Sequence, residues 1–348
     1  MSATKWYEKQ NKQPDVVVSS RIRLARNCKE FPFPCRMSPD DRRQLADNVG
    51  SALKTGNFSG SLAFSRVDMG ALTDEQALAY VEQHSISPDF AQNRDGKTLY
   101  VTADGSVSIM VGEEDHLRIQ ILGANECLRE EMQLAEQLDN LLDEQLHFAF
   151  DEKLGYLTQC PTNLGTGLRA SVMLSLPALE ATGALQKLAG SVQKLGLALR
   201  GTFGEGSNPK GSLYQLSNQV TLGISEENAI ENLSGIAGQL VEQERRARNA
   251  LLEQTNLEDQ IWRAYGACRY ARAMTMEEFR QYASLLRVGV GLEYFGGLTA
   301  ATLDTLLSTV GAGGLMTEAG RELEPGERDR MRAERVRKAL EEAERSAQ

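Results

Sequence analysis

The hydrophobic pattern alternates between a period of two and a period near 3.6 over the first 250 residues, then settles on the longer period. Residues 15–26 place Val16, Val18, Ile22 and Leu24 on one side and Val17, Ser19, Arg21 and Arg23 on the other. That spacing predicts a strand presenting two arginines in the same direction. Two further strands, 98–103 and 106–111, flank Asp104-Gly105, a strong hairpin signal. Strands are also predicted over 117–122, 156–160, 168–174, 197–202 and 213–216. Between them lie helical repeats. Leu45, Val49 and Ala52 follow a Ser38-Pro39 start, and Thr73 opens a capping box. Leu128, Met132, Ala135, Leu138 and Leu142 mark a helix over 126–146, with another near 179–194. Ser225 caps a helix to about 252, its inner face formed by Ile230, Leu233, Ala237, Leu240 and Val241.

Beyond Asn256 the signals are almost purely helical: a capping box at Thr275, then a charged helix after Pro325-Gly326 containing Met331, Val336 and Leu340. The expected fold class is α+β, with a mixed catalytic domain over 1–255 and an all-helical domain over 256–348. A chain of 348 residues is long enough to give each a core. The net charge of −10 argues against non-specific nucleic-acid binding, which rests on neutralising phosphates. Residues 1–13 carry no apolar targeting segment, and the longest apolar stretch, 288–307, is broken by glycines, Glu293 and Asp304. No membrane partner is expected. The 5 cysteines are scattered without a CxxC spacing, which fits a reducing cytoplasm better than a zinc site or disulfide framework.

Arg21, Arg23, Arg118, Arg169 and Arg200 all fall on predicted strands or their edges. Each alone reads as a surface ion-pair partner. Together they match a triphosphate, whose oxygens guanidinium forks bind bidentately, and no GxxxxGK[ST] loop offers another cradle. Glu113-Glu114-Asp115 reads either as a solvated turn or as carboxylates gripping a guanidinium, helped by Glu205 from the glycine-rich segment 203–211. That segment is expected to be mobile. Cys160 reads either as inert packing or as a thiolate stabilised by neighbouring hydroxyls and a cationic substrate. His84, His116 and His147 read as hydrogen-bonding residues without metal-ligand spacing.

Ser19-Ser20-Arg21-Ile22-Arg23 and the runs 113–118, 160–171 and 200–205 resemble, in order, the signature segments of the phosphagen kinases. The resemblance covers roughly 14–250. It implies an antiparallel sheet surrounded by helices that moves the γ-phosphoryl of Mg²⁺-bound ATP onto a guanidino nitrogen. It implies that Arg21, Arg23, Arg118, Arg169 and Arg200 hold the nucleotide phosphates, and that Glu114 and Glu205 are the substrate carboxylates. Cys160 is then the cysteine beside the guanidinium, and Mg²⁺ is held by phosphates and water with no protein metal ligands. Several positions depart from the family pattern. The strand bearing Arg21 begins almost at the start of the chain, so the family's helical lid domain is expected to be missing. Gly112 replaces an Asn, Met110 or Val111 an aromatic, Met173 a His and Phe203 a second loop arginine. A more open acceptor site follows.

With its helical C-terminal region, the chain resembles the bacterial protein-arginine kinases, whose members mark proteins for the Clp protease. Arg328-Asp329-Arg330-Met331-Arg332-Ala333 matches their RDxxRA motif. The resemblance implies that Arg328 and Arg332 grip the phosphate of phosphoarginine while Asp329 pairs with its guanidinium. Without the family, the run reads as a solvated helix face with i, i+3 ion pairs. Expected partners are proteins with accessible arginines, the Clp ATPase/protease system and an activator protein, with self-association as a homodimer or larger. A kinase of free arginine and a non-catalytic phosphoarginine-binding adaptor are the alternatives.

Overall fold

The structure is a computed structural model and describes residues 3–9, 13–56, 62–124, 126–201 and 210–346. The strands are β1 (Val17–Arg26), β2 (Phe64–Asp68), β3 (Thr98–Thr102), β4 (Val107–Val111) and β5 (Leu117–Gly123). They continue with the short β6 (Phe150–Asp151) and β7 (Gly155–Tyr156), then β8 (Leu168–Ser175), β9 (Leu197–Gly201) and β10 (Leu213–Asn218). The helices of the same part are α1 (Pro39–Thr55), α2 (Asp74–Glu82), α3 (Pro88–Gln92) and α4 (Leu128–Leu146). After them come α5 (Pro177–Ala181), α6 (Leu185–Gln193) and α7 (Glu226–Gln254). The C-terminal part holds α8 (Leu257–Tyr270), α9 (Met276–Gly291), α10 (Ala300–Thr309), α11 (Ala312–Ala319) and α12 (Pro325–Ser346).

Eight strands form one sheet in the order β2-β3-β4-β5-β1-β8-β10-β9, and every pairing in it is antiparallel. β1 lies in its middle, so the arginine-bearing strand is held on both edges. One face is apolar: Ile22, Leu24, Ile109, Ile119, Ile121, Leu168, Val172 and Leu216 pack against α1, α4, α5, α6 and α7. The other face carries the polar residues and is covered at one end by α2 and α3, through Phe90, Leu99, Val101 and Met110.

Capping at Ser38, Thr73, Ser225 and Thr275 occurs as the sequence predicts. Three expectations are corrected. Val17 is fully buried in the core with Val16, because a register shift between Val17 and Ser19 reverses the strand's parity there. Residues 156–160 do not form one strand. Only Gly155–Tyr156 pairs, with Phe150–Asp151, and Cys160 instead begins a 3-10 turn over Pro161–Asn163. The helix predicted near 179–194 is two helices, divided where Gly183 takes a φ of 70°.

The C-terminal helices close around Cys268, Phe279, Leu286, Leu303, Val336 and Leu340. They meet the sheet part at α2, on which α11 packs, and at the chain just before β1, which is also tied to α7. Asp15 accepts from Arg245 and Arg248 of α7 at 2.8 and 3.0 Å, and Arg287 of α9 donates to the Pro14 carbonyl at 2.8 Å.

Inside the core, the Glu131 carboxyl of α4 accepts from Ser20 Oγ at 2.5 Å, while its second oxygen is buried without a partner among the described residues. Burial pushes its pKa up to about 8, so it is protonated at neutral pH. The folded state therefore binds this proton more tightly than the unfolded state does. The stability it lends is complete below the ordinary glutamate value and fades as pH rises through about 8. Glu131→Gln should accordingly raise the melting temperature at pH 8, an effect on the order of a few kcal/mol at most, and change it little at pH 5. Thermal melts of both proteins at the two pH values test this; an equal difference at both would refute it.

Candidate active site

The five arginines singled out in the sequence share the polar face, because of strand register. Arg21 lies opposite Ser171, Arg23 opposite Arg169, Ala25 opposite Arg118, and Arg200 opposite Gln215. Residues opposite one another in an antiparallel pair point the same way. Arg21 and Arg23 of β1, Arg118 of β5, Arg169 of β8 and Arg200 of β9 thus project together, with Gln120, Ser217 and Gln215 between them.

Such crowding is electrostatically unfavourable. Burial pushes the Arg21 pKa down to about 10, with Arg118 and Arg169 adding to the effect. Burial lowers Arg23 further, helped by Arg21, Arg118 and Arg169 and opposed by Glu113. Arg169 is lowered by burial and by Arg200 and Arg118. The neutral partners available are modest: Arg21 donates to Gln215 Oε1 at 3.0 Å and Arg169 to Ser217 Oγ at 3.5 Å. Among the described residues, the buried Nε atoms of Arg23 and Arg169 have no partner. Donors so held, in so little water, suit an anion of several charges.

The acidic run divides into three roles. Glu113 is nearly buried and its Oε1 accepts from Arg118 Nη1 at 2.6 Å and from Ser87 Oγ, which orients that arginine. Asp115 is buried and accepts from Asn27 Nδ2 and from the Gln159 backbone N–H, both at 2.7 Å. That bond pins the β4–β5 turn to the segment carrying Cys160. Glu114 remains 42 % exposed, 3.7 Å from Arg118 Nη2, with Asn163 Nδ2 3.5 Å from its Oε2. Cys160 Sγ lies 3.1 Å from Thr162 Oγ1. Glu114 and the Cys160 turn are therefore neighbours beside the arginine face. Gly165 is required behind them: at φ 107° it backs onto the chain of Thr221, where a Cβ would meet the carbonyl oxygen at 2.2 Å. Glu205 lies outside the described residues.

His116 is structural, its Nδ1 accepting from the Cys28 N–H at 2.9 Å while Nε2 lies 2.8 Å from the Pro32 carbonyl. His84, by contrast, lines the arginine cavity, and burial beside Arg21 and Arg280 pushes its pKa down to about 4. It is neutral there at physiological pH. The sequence reading left out Gln120, Gln215, Ser217 and the position of His84. The parity of β5 and β10 relative to Arg118 and Arg200 carries a signal for the first three.

The C-terminal trio is less open than its sequence implies. Arg332 is buried, donating to the Val310 and Met274 carbonyls at 2.9 and 2.8 Å and to Asp329 Oδ1 at 2.6 Å. Asp329 in turn accepts through its backbone carbonyl from the Met274 N–H at 3.0 Å. Arg328 is half-buried against Met316, its Nη1 3.9 Å from the sulfur.

An arginine-bearing sheet face with a cavity above it and Glu114 and Cys160 beside it is a candidate phosphotransferase site, and comparison supports that class. Residues 44–247 match the family described as ATP:guanido phosphotransferase, C-terminal catalytic domain. Solved phosphagen kinases share the fold. A lombricine kinase superposes with a TM-score of 0.59 at 25% identity, covering 74% of this chain and 72% of that one. The substrate-free duplicated taurocyamine kinase of Schistosoma mansoni gives 0.57 at 28% identity over 66% of this chain, which spans 33% of that longer protein. Residues 254–348 match the Protein-arginine kinase McsB C-terminal domain. Curated protein-arginine kinases of Caldanaerobacter subterraneus and Moorella thermoacetica are each 43% identical, over 92% and 97% of this chain and 96% and 97% of their own lengths. The chain belongs to the protein-arginine kinases, within the phosphagen kinase superfamily.

Because the arginines repel one another when no anion is bound, removing one should have opposite effects on stability and binding. Arg169→Met is expected to raise the melting temperature of the nucleotide-free protein. It should also weaken ATP binding by about tenfold or more, the loss of a charge-assisted contact. Calorimetric titration and thermal melts decide it; a variant that binds ATP as the wild type does contradicts the assignment.

Proposed function

We propose that this enzyme transfers the γ-phosphoryl group of ATP to guanidino nitrogens of arginine side chains in other proteins. The observation that carries the reading is the gathering of Arg21, Arg23, Arg118, Arg169 and Arg200 on one sheet face beside Glu114 and Cys160. The arginines hold the phosphates and stabilise charge as the terminal P–O bond breaks. Glu114 positions the guanidinium and takes the proton lost as the N–P bond forms. Cys160 sits beside the guanidinium and sets its orientation, and Glu205 clamps it from the other side. ADP leaves with the electrons of the broken bond.

The donor set on this face is cationic, and among the described residues no three His, Cys, Asp or Glu gather as a metal site. Mg²⁺ would arrive on the nucleotide and there neutralise charge on the transferred group. We assign residues 1–255 to catalysis and 256–348 to self-association and phosphoarginine binding. Arg328 and Asp329 would contact the phosphoarginine, with Arg332 fixing Asp329 from behind. Exposed Trp262 and Tyr270, 45% and 69% accessible, offer apolar area for a homodimer or larger assembly. No described helix is long and apolar enough to cross a membrane. The reading extends to a cytoplasmic enzyme that marks proteins for a Clp ATPase/protease, with an activator protein as a further partner.

Glu114→Gln should abolish transfer while leaving the fold and ATP binding intact. The test is Mg²⁺–ATP with an unstructured arginine-containing protein, reading acid-labile phosphate on arginine by mass spectrometry. Near-normal labelling by the variant removes Glu114 from the mechanism. Turnover of free arginine without protein labelling would make the acceptor a small guanidino compound. Phosphoarginine binding with neither activity would favour a non-catalytic adaptor.

A further inference from the structure

The cavity above the arginine face, about 420 Å³, is not enclosed by the sheet part alone. Arg21, Arg23 and Arg118 form its basic wall beside the neutral His84, and Met276 and Arg280 of α9 with Leu307 of α10 close it from the C-terminal domain. Arg280 acts electrostatically on His84 from across the cavity and is itself influenced by Glu82 and by Arg332. It therefore stands between the arginine cavity and the C-terminal arginine cluster.

Its place depends on how the two parts are joined. Glu82, at the end of α2, accepts from the Gly313 and Gly314 N–H groups at 3.1 and 2.9 Å, capping the N-terminus of α11 across the seam. The helix can approach this closely because Gly313 has no side chain; a Cβ there would meet the Ala79 nitrogen at 2.5 Å. Glu82 thus fixes α11 and faces Arg280 at the same time.

We infer that the C-terminal domain supplies part of the nucleotide site: Arg280 is an ATP-binding residue, with Met276 and Leu307 as an apolar wall, delivered by the docking of α11 on α2. This inference rests on the assignment of the arginine face to ATP. A sixth guanidinium lining the same cavity as Arg21 adds donors for the nucleotide's oxygens, and the apolar wall suits the flat face of its base. The domain that defines this branch of the superfamily would then set nucleotide affinity as well as carrying the C-terminal arginine cluster.

The experiment measures ATP binding directly in the full-length protein, by titration with a fluorescent ATP analogue and without any acceptor. Arg280→Ala should weaken binding by about tenfold or more and raise KM for ATP while leaving KM for the protein acceptor unmoved. Arg280→Lys should recover part of the loss. Gly313→Val, which forces α11 off α2 at Leu78 and Ala79, should weaken ATP binding with Arg280 still present. Far-UV circular dichroism and the nucleotide-free melting temperature establish that each variant is folded. Wild-type ATP affinity in Arg280→Ala overturns the proposal, and wild-type affinity in Gly313→Val overturns delivery by docking. Wild-type protein that binds ATP but labels no protein would fail the functional reading alone. Wild-type protein that binds no ATP would fail the assignment on which the inference rests.

Discussion

Like-charge crowding on a rigid sheet is the constraint on which this molecule depends. Arg23 and Arg169 face each other across adjacent strands, with Arg118 near enough to disfavour both charges, Arg21 adding to the effect on Arg23 and Arg200 to that on Arg169. Like charges directly opposite on a sheet are destabilising. The arrangement persists because the other face of the same strands is almost wholly apolar and sealed by five helices. Burial of that face fixes register, and register fixes which side chains point at the ligand. An anion that binds relieves the repulsion, so energy withheld from the empty fold reappears as affinity and as stabilisation of charge during transfer.

The neighbouring carboxylates show how closely spaced residues acquire separate duties. Glu113, Glu114 and Asp115 are consecutive, yet one holds Arg118, one remains partly exposed and one ties two loops together. The β4–β5 turn makes this possible by sending successive side chains in different directions. Asp115 acts on the geometry of the proposed site without facing it. Its bond to the Gln159 N–H couples the acid-bearing turn to the cysteine-bearing one, so Glu114 and Cys160 keep a common frame. Pre-organisation of this kind is what positioning catalysis requires.

What the sequence disclosed and what it hid follow from the range of the forces involved. The alternation around Arg21, the Asp104-Gly105 hairpin and the capping residues at Ser38, Thr73, Ser225 and Thr275 are local, and the structure bears them out. The bulge at Val17 was hidden because it is set by pairing with β8, more than a hundred residues away. The strand predicted over 156–160 failed because its pairing partner is only two residues long and Pro161 turns the chain. Arg332 looked like part of a solvated helix face. Its burial depends on carbonyls from Met274 and Val310, which no local pattern could bring to it.

The two sides of the site are built differently, and the difference bears on the acceptor. The side proposed for the phosphates lies under α2 and residues of the C-terminal helices, with several donors out of water. The acceptor side keeps Glu114 substantially exposed and Cys160 only half-buried. A small guanidino compound brings little binding energy of its own, so a site for it gains from enclosing it. An arginine on a protein arrives attached to a chain too large to enclose, and its carboxylate partner must be reachable from solvent. Closure over the nucleotide with access at Glu114 is the combination that a protein acceptor requires. On the assignment proposed above both conditions hold, because residues of the C-terminal helices line the cavity over Arg21, Arg23 and Arg118 while Glu114 stays exposed.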